Sequence, residues 1–327
     1  MGEEIKAAAN YYSKDFEWDQ LRQEIENNPS LAHHLLPFPN SITQNQHTLL
    51  SLCSPQEDSE AWNNFHTRHS TGKFFKERRY LLKEFPELAS CGECSTVLEI
   101  GCGNGSTALA ILRGNKSISL YACDCSKEAL ERAKENIEAA NINLAKERFY
   151  PFQCDFSASG FPNWLACTSC YENLFQKQNM ADARSYSKQD FPSAKNNNCI
   201  GGVDFVTLIF TLSAVPLHRM SRAITECFSV LKPGGLLLFR DYGLYDMTML
   251  RFEPEQRVGY REYMRTDGTR SYFFCLDNVR DLFCGTGFTE LELEYCCVQS
   301  VNRRNGKIMR RVWIHGKFQK PHVHVGS

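Results

Sequence analysis

From Thr96 onward the chain alternates short apolar runs with segments of helical period. Val97, Leu98 and Ile100 form the first run, of the kind that a parallel sheet buries on both faces. Gly101, Gly103 and Gly105 follow at once, and a helix is expected at about 105–113. A second run, Ile118 to Cys123, ends on Asp124, and further strands are predicted at about 148–154, 203–210 and 236–240. Apolar residues at helical spacing predict helices at about 126–139 and 217–231. Ser126 is placed to cap the first of these, with Glu128 in its first turn. Pro233-Gly234-Gly235 marks a tight turn before the fifth strand. Strands alternating with helices in this order predict a doubly wound α/β sheet.

The flanking pattern differs. Residues 1–58 are polar, with a short predicted helix at Trp18–Glu26 and a proline-broken apolar patch at Leu35–Pro39. This leader reads as partly disordered, or as a tail that docks on a partner or packs on the domain. Residues 59–92 interleave Trp62, Phe65, Phe74, Phe75, Tyr80, Leu81 and Phe85 with Arg68, Lys73, Lys76, Arg78, Arg79 and Lys83. Such a stretch is either a nucleic-acid surface or an amphipathic helical lid with a solvated basic face. Residues 93–327 form the main domain, interrupted by a polar insertion at about 158–202.

Composition narrows the setting. The formal net charge is −1 over 327 residues, so any nucleic-acid footprint is local. Fifteen cysteines are scattered through apolar runs behind a polar, acid-bearing N-terminus unlike a signal or transit peptide. No apolar run approaches the length of a membrane span. The expectation is a reduced protein of the cytoplasm or the nucleus, with no membrane partner. The pairs Cys91/Cys94 and Cys167/Cys170 have CxxC spacing but lie far apart, so no metal site is assigned.

The glycine loop carries the candidate chemistry. A nicotinamide fold usually shows GxGxxG with a pyrophosphate over the helix N-terminus. Here the run is Glu99-Ile-Gly-Cys-Gly-Asn-Gly-Ser106, with serine at the third dinucleotide glycine position and an acid that would repel a pyrophosphate. A phosphate-free cationic cofactor, S-adenosylmethionine, suits it better. Asp124, ending the second strand, is placed to accept hydrogen bonds from a ribose diol, and Asp155 from an adenine amino group. The loop, both acids and the residues after Ile209 converge beyond the carboxyl ends of the strands. Beyond Glu294 there is no acid, and Arg303, Arg304, Lys307, Arg310, Arg311, Lys317 and Lys320 make either a phosphate-tracking edge or a solvated strand and tail.

More specific pieces follow the fifth strand: FRDYGLYDMTMLRF at 239–252 and RTDGTRSYFF at 265–274. With AWNNFHTRHSTGKFFKERRYLLKEFPEL at 61–88, LEIGCGNG at 98–105, YACDCSKEALERAK at 121–134 and RRVWIHGKFQKP at 310–321, the chain resembles the methyltransferase-like enzymes that make 3-methylcytidine in tRNA. The resemblance covers most of 61–321. It implies a Rossmann-like class I fold: a mostly parallel seven-stranded sheet with helices on both faces and an N-terminal helical lid. It implies S-adenosylmethionine held by Trp62, Glu99, Gly101, Gly103, Gly105, Asp124, Cys125, Asp155, Phe156 and Ile209. Arg240, Asp241, Tyr242, Tyr245 and Arg270 are then the catalytic candidates, the tyrosines (with Tyr272) to stack on the base and the charged groups to orient it and its phosphates. The implied partners are the anticodon stem-loop of tRNA and an aminoacyl-tRNA synthetase or other protein, for which the leader is a docking candidate. His66 stands where the family commonly has tyrosine. Methylation of a protein or small molecule, and a non-catalytic scaffold, are the alternative readings.

Overall fold

In the computed structural model, Thr96–Ile100 (β1) is an interior strand of a seven-stranded sheet. The structure describes residues 14–38, 55–69, 76–92, 94–142, 145–166, 199–301, 306 and 308–322. Most of the insertion, together with Phe74, Phe75, Cys167, Cys170, Arg303, Arg304 and Lys307, lies outside the described residues. The further strands of the large sheet are β2 (Ser119–Asp124), β3 (Phe149–Gln153), β4 (Val203–Ile209) and β5 (Leu231–Tyr242). A small sheet follows, β6 (Arg257–Gly259), β7 (Glu262–Met264) and β8 (Arg270–Tyr272). The chain ends in the long hairpin β9 (Thr289–Val301) and β10 (Ile308–Gln319).

The large sheet has the order β3-β2-β1-β4-β5-β10-β9. Strands β1 to β5 pair in parallel, and β10 enters antiparallel between β5 and β9. Parallel pairing brings the carboxyl ends Ile100, Asp124, Gln153, Ile209 and Tyr242 to one edge, where open α/β sheets bind ligands. The fifth strand begins earlier than its apolar run predicts. Leu231 pairs with Val203, the register shifts across the Pro-Gly-Gly segment, and pairing resumes at Leu236 with Phe205.

Helices cover both faces. Helices α3 (Ser106–Gly114) and α4 (Lys127–Ala139) bury Leu109, Leu112, Leu130 and Ile137 against one side. Helices α5 (Leu217–Val230) and α6 (Leu276–Cys284) bury Met220, Ile224, Val279 and Phe283 on the other. Ser126 caps α4 by accepting from the Ala129 N–H at 3.1 Å.

Two earlier helices pack on this frame. Helix α1 (Trp18–Glu26) buries Leu21 and Ile25 against Tyr245, Tyr263 and Phe273. Its Trp18 ring stacks on Tyr295 at 4.6 Å, and its indole N–H donates to the Leu244 carbonyl at 3.2 Å. Helix α2 (Pro55–Arg68) starts inside the stretch that composition assigns to the leader and crosses the carboxyl ends of the strands. The rest of the aromatic-basic stretch divides. Trp62 and Phe65 face the crevice, whereas Leu81 and Phe85 are core residues. Among the described residues no helix is long and apolar enough to cross a membrane.

Candidate active site

The turn after β1 explains the glycines. Gly101 and Gly103 have φ of +66° and +52°, a region that costs any residue with a Cβ. A Cβ on Gly101 would stand 2.5 Å from Thr211 Cγ2, and the Thr211 hydroxyl donates to the Ile100 carbonyl at 2.9 Å. The turn is therefore locked onto the segment after β4. Asp124 fixes its other side. One carboxylate oxygen accepts from the Gly103 N–H at 2.8 Å, the other from the Ser126 N–H at 2.9 Å.

A cavity of about 510 Å³ opens above this turn, within the range of small-molecule sites (roughly 300–1,000 Å³). Its floor is Gly101, Gly103 and Asp124, with Cys125, Asp155 and Phe156 along one wall. Ile209, Phe210, Thr211 and Ser213 form another, and Tyr242 closes the far end. Helix α2 is the roof. Trp62, Phe65, His66 and His69 face down from it. Its anchors are polar: Ser59 donates to Asp155 at 3.1 Å, and Asn63 Oδ1 accepts from the Ser126 hydroxyl at 2.9 Å. Asp58 accepts from Arg219 and, at 3.4 Å, from Arg270. Burial holds the His66 imidazole below its usual pKa, so this roof group is neutral near pH 7.

The two ends differ in character. Toward Asp124 and Asp155 the walls offer acceptors, as a ribose and an adenine require. Asp155 also caps the turn Phe156–Ser159 by accepting from the Ser157 and Ala158 N–H groups, each at 3.2 Å. Toward Tyr242 the cavity is aromatic: Phe210 and Tyr242 lie with ring centroids 5.1 Å apart. Phe210 takes φ +55°, unusual for a bulky residue, and is held by donating its N–H to the Arg240 carbonyl at 2.7 Å.

Several residues singled out from sequence stand elsewhere. Arg240 is wholly buried behind the cavity wall, paired with Glu84 at 2.5 Å and packed on Trp313 at 4.5 Å. Asp241 points to the opposite face and accepts from the Ser213 and Tyr242 N–H groups at 2.9 and 2.8 Å. Desolvation raises its carboxyl to about 6. Both residues shape the wall without reaching the space. Tyr245 packs under α1, 5.8 Å from Trp18, and Tyr272 is buried beside Phe274. Gly105 lies below the floor, where an added Cβ would stand 3.3 Å from Ala133 of α4.

Glu99 needs a larger correction. It is buried under the turn, and desolvation pushes its carboxyl up to about 8, against Arg78 and a Thr107 hydrogen bond that pull it down. At neutral pH it is protonated, so the expected repulsion of a pyrophosphate does not operate. The C-terminal cations among the described residues are committed as well. Arg310 pairs with Glu24 and Arg311 with Asp246, while Lys317 meets Glu87 and Glu292. Lys320 donates to the carbonyls of Phe228 and Leu231. Cys91 accepts from the Asn115 side-chain amide at 3.3 Å and Cys94 is exposed.

The sequence reading did not name Phe210, Ser213 or Arg219 as site residues, and placed Arg265 only inside a motif. Phe210 and Ser213 follow β4 directly, a position that alone points to the ligand edge.

A glycine turn under an acid, at the carboxyl edge of a sheet whose last inserted strand is antiparallel, defines a class I S-adenosylmethionine-dependent methyltransferase. A methyltransferase-domain family model matches residues 74–293. The human tRNA N(3)-cytidine methyltransferase METTL6 is 38% identical over 270 residues, which cover 81% of each chain. The chain belongs to the tRNA N(3)-cytidine methyltransferase family. O-methyltransferase 3 of Dictyostelium discoideum is 34% identical, covering 98% of this chain and 80% of that one. Among solved structures, the Burkholderia thailandensis 1,6-didemethyltoxoflavin-N1-methyltransferase, with S-adenosylhomocysteine bound, shares the fold at TM-score 0.50 and 12% identity, covering 83% of this chain and 92% of that one.

Proposed function

We propose that the protein transfers a methyl group from S-adenosylmethionine to N3 of a cytidine in tRNA, with the anticodon loop as the site. The observation that carries this reading is a single cavity with an acceptor-lined end at Asp124 and Asp155 and an aromatic end at Phe210 and Tyr242. The residues fit the cofactor: the turn brings backbone to the cavity without a Cβ, and Asp124 is held rigid by two N–H groups. When bound, S-adenosylmethionine supplies an electrophilic methyl group on a sulfonium.

The chain's own task is placement. Cytosine N3 carries a lone pair at neutral pH, so no strong base is required, and alignment in a dry site lowers the barrier. N3 lies on the Watson–Crick edge, so the base must be single-stranded or splayed out to enter. Phe210 and Tyr242 offer a stacking surface, and α2 excludes water from above. The buried carboxyl of Asp241 fixes Ser213 and Tyr242 by their N–H groups and so sets the shape of that end.

The test is incubation of the purified protein with labelled S-adenosylmethionine and tRNA lacking the modification, with nucleosides resolved by mass spectrometry. New 3-methylcytidine that vanishes in Asp124→Ala is the expected result. A product that forms only when cell extract is added supports a required protein partner such as an aminoacyl-tRNA synthetase. The likeness to O-methyltransferase 3 favours a second reading, transfer to a protein or small molecule. Methyl transfer that persists without tRNA would select it.

A further inference from the structure

One residue of the roof holds two parts of the cavity at once. Asp58, in the first turn of α2, pairs with Arg219 near the start of α5 and, at 3.4 Å, with Arg270 at the start of β8. Each arginine has a second acid. Arg219 faces Asp155 at 3.6 Å, and Arg270 faces Glu262 of β7 at 3.3 Å. Burial pushes the Asp58 carboxyl up, and the two guanidiniums oppose that rise. Asp155, Arg219, Asp58, Arg270 and Glu262 thus alternate in charge, from the acceptor-lined end of the cavity to the small sheet.

The two ends of this chain bear on different ligands. Asp155 Oδ1 already accepts from the Ser157 and Ala158 N–H groups and the Ser157 hydroxyl. Oδ2 is the oxygen left for an adenine amino group, and it is the one that Ser59 of α2 and Arg219 hold. A carboxylate oxygen accepts from more than one donor, so an adenine seated there completes a cluster that includes the roof. At the other end, Ser271 beside Arg270 lines the cavity, and β8 packs on the turn Leu212–Ala214, which carries Ser213 of the wall. The roof between them is lightly held. Among the described residues, none of α2 belongs to a hydrophobic core cluster, and its anchors are polar. An element with so little buried apolar contact opens at lower cost than the core.

We propose that Asp58 is a positioning residue that makes cofactor and RNA bind cooperatively. Cofactor seated on Asp155 fixes α2, and Asp58 passes that order through Arg270 to the substrate end. This rests on the tRNA reading above. Asp58 acts through its arginines and does not touch the reacting atoms.

The experiment measures binding of a fluorescently labelled anticodon stem-loop RNA to the full chain at fixed salt, with and without saturating S-adenosylhomocysteine. Calorimetry measures S-adenosylhomocysteine binding with and without the RNA. In the wild type each ligand tightens the other by the same factor, about fivefold or more. Asp58→Asn brings the factor below about twofold, the range of independent sites. That variant keeps a second acid on each arginine, and α2 lends no described residue to the core, so the fold should survive. Ser59→Ala removes the direct bond from α2 to Asp155 and lowers the factor as well. A merely structural Asp58 would weaken both ligands in Asp58→Asn and leave the factor unchanged, and that result would overturn the coupling. An unchanged factor in Ser59→Ala would do the same should Asp58→Asn not fold, and so would a wild-type factor near one. RNA binding without cooperativity removes the role of Asp58 alone. Wild-type protein that binds S-adenosylhomocysteine but no RNA in either state would remove the tRNA reading itself.

Discussion

Glu99→Gln tests the electrostatics under the glycine turn. Glu99 is fully buried, and desolvation lifts its carboxyl from the usual 4.5 to about 8. Between these values the unfolded chain carries the ionised form and the folded chain the protonated one. The folded state therefore binds more protons, and stability must fall as pH rises through this window. The rate of loss is about 1.4 kcal/mol per pH unit. From about pH 5 to about pH 7.5 the total is roughly 3 kcal/mol, a large part of a typical domain's stability. Glutamine keeps the shape and an acceptor for the Thr107 hydroxyl but has no charge to remove. Urea denaturation of both proteins at several pH values reads the difference. The variant's curve should decline less steeply, with near-equal stability at about pH 5 and an advantage at about pH 7.5 that approaches the figure above. Parallel curves would refute the reasoning, for they would mean that Arg78 and Thr107 keep Glu99 ionised despite its burial.

Three further substitutions separate structure from chemistry. Gly101→Ala places a Cβ 2.5 Å from Thr211 at φ +66°, so it should cost about 1–3 kcal/mol in thermal denaturation and abolish measurable cofactor binding by calorimetry. Arg240→Met leaves Glu84 buried without its cation and should lose about 3–5 kcal/mol, much of which returns in the double variant Arg240→Met, Glu84→Met. Turnover by the folded double variant within a few-fold of wild type would establish Arg240 as structural. Phe210→Ala removes the wall of the aromatic end and should lower kcat/KM for RNA by about 1–3 kcal/mol of stacking, with S-adenosylmethionine affinity nearly unchanged. Equal losses for both ligands would put Phe210 in the cofactor's half of the cavity.

What was legible in the sequence follows from which physical signal is local. The run from Val97 to Gly105 carries both the burial of a central strand and the left-handed turn after it, because each is a property of neighbouring residues. Asp124 could be placed for the same reason, as the last residue of the next apolar run. The segment from Arg240 to Tyr245 resisted, because its meaning depends on depth along one strand. Arg240 and Tyr242 share a face of β5, yet the step between them runs from the core to the cavity, and Asp241 turns the other way. A motif marks these residues as a unit but does not say which of them meets the ligand. Charge was harder still. The described C-terminal bases and Arg270 looked available until partners distant in the chain, such as Glu24 for Arg310 and Asp58 for Arg270, were seen to hold them. Glu99 looked charged until its burial was known. Arg78, over the Phe210 ring at 5.5 Å, and Arg265 come from segments far apart in the chain, and only the fold brings both to the lining of one cavity. Even the acids that face the cavity, Asp124 and Asp155, are held by groups from the glycine turn and from helix α2, so which polar groups meet a ligand is decided by tertiary pairing and not by residue type.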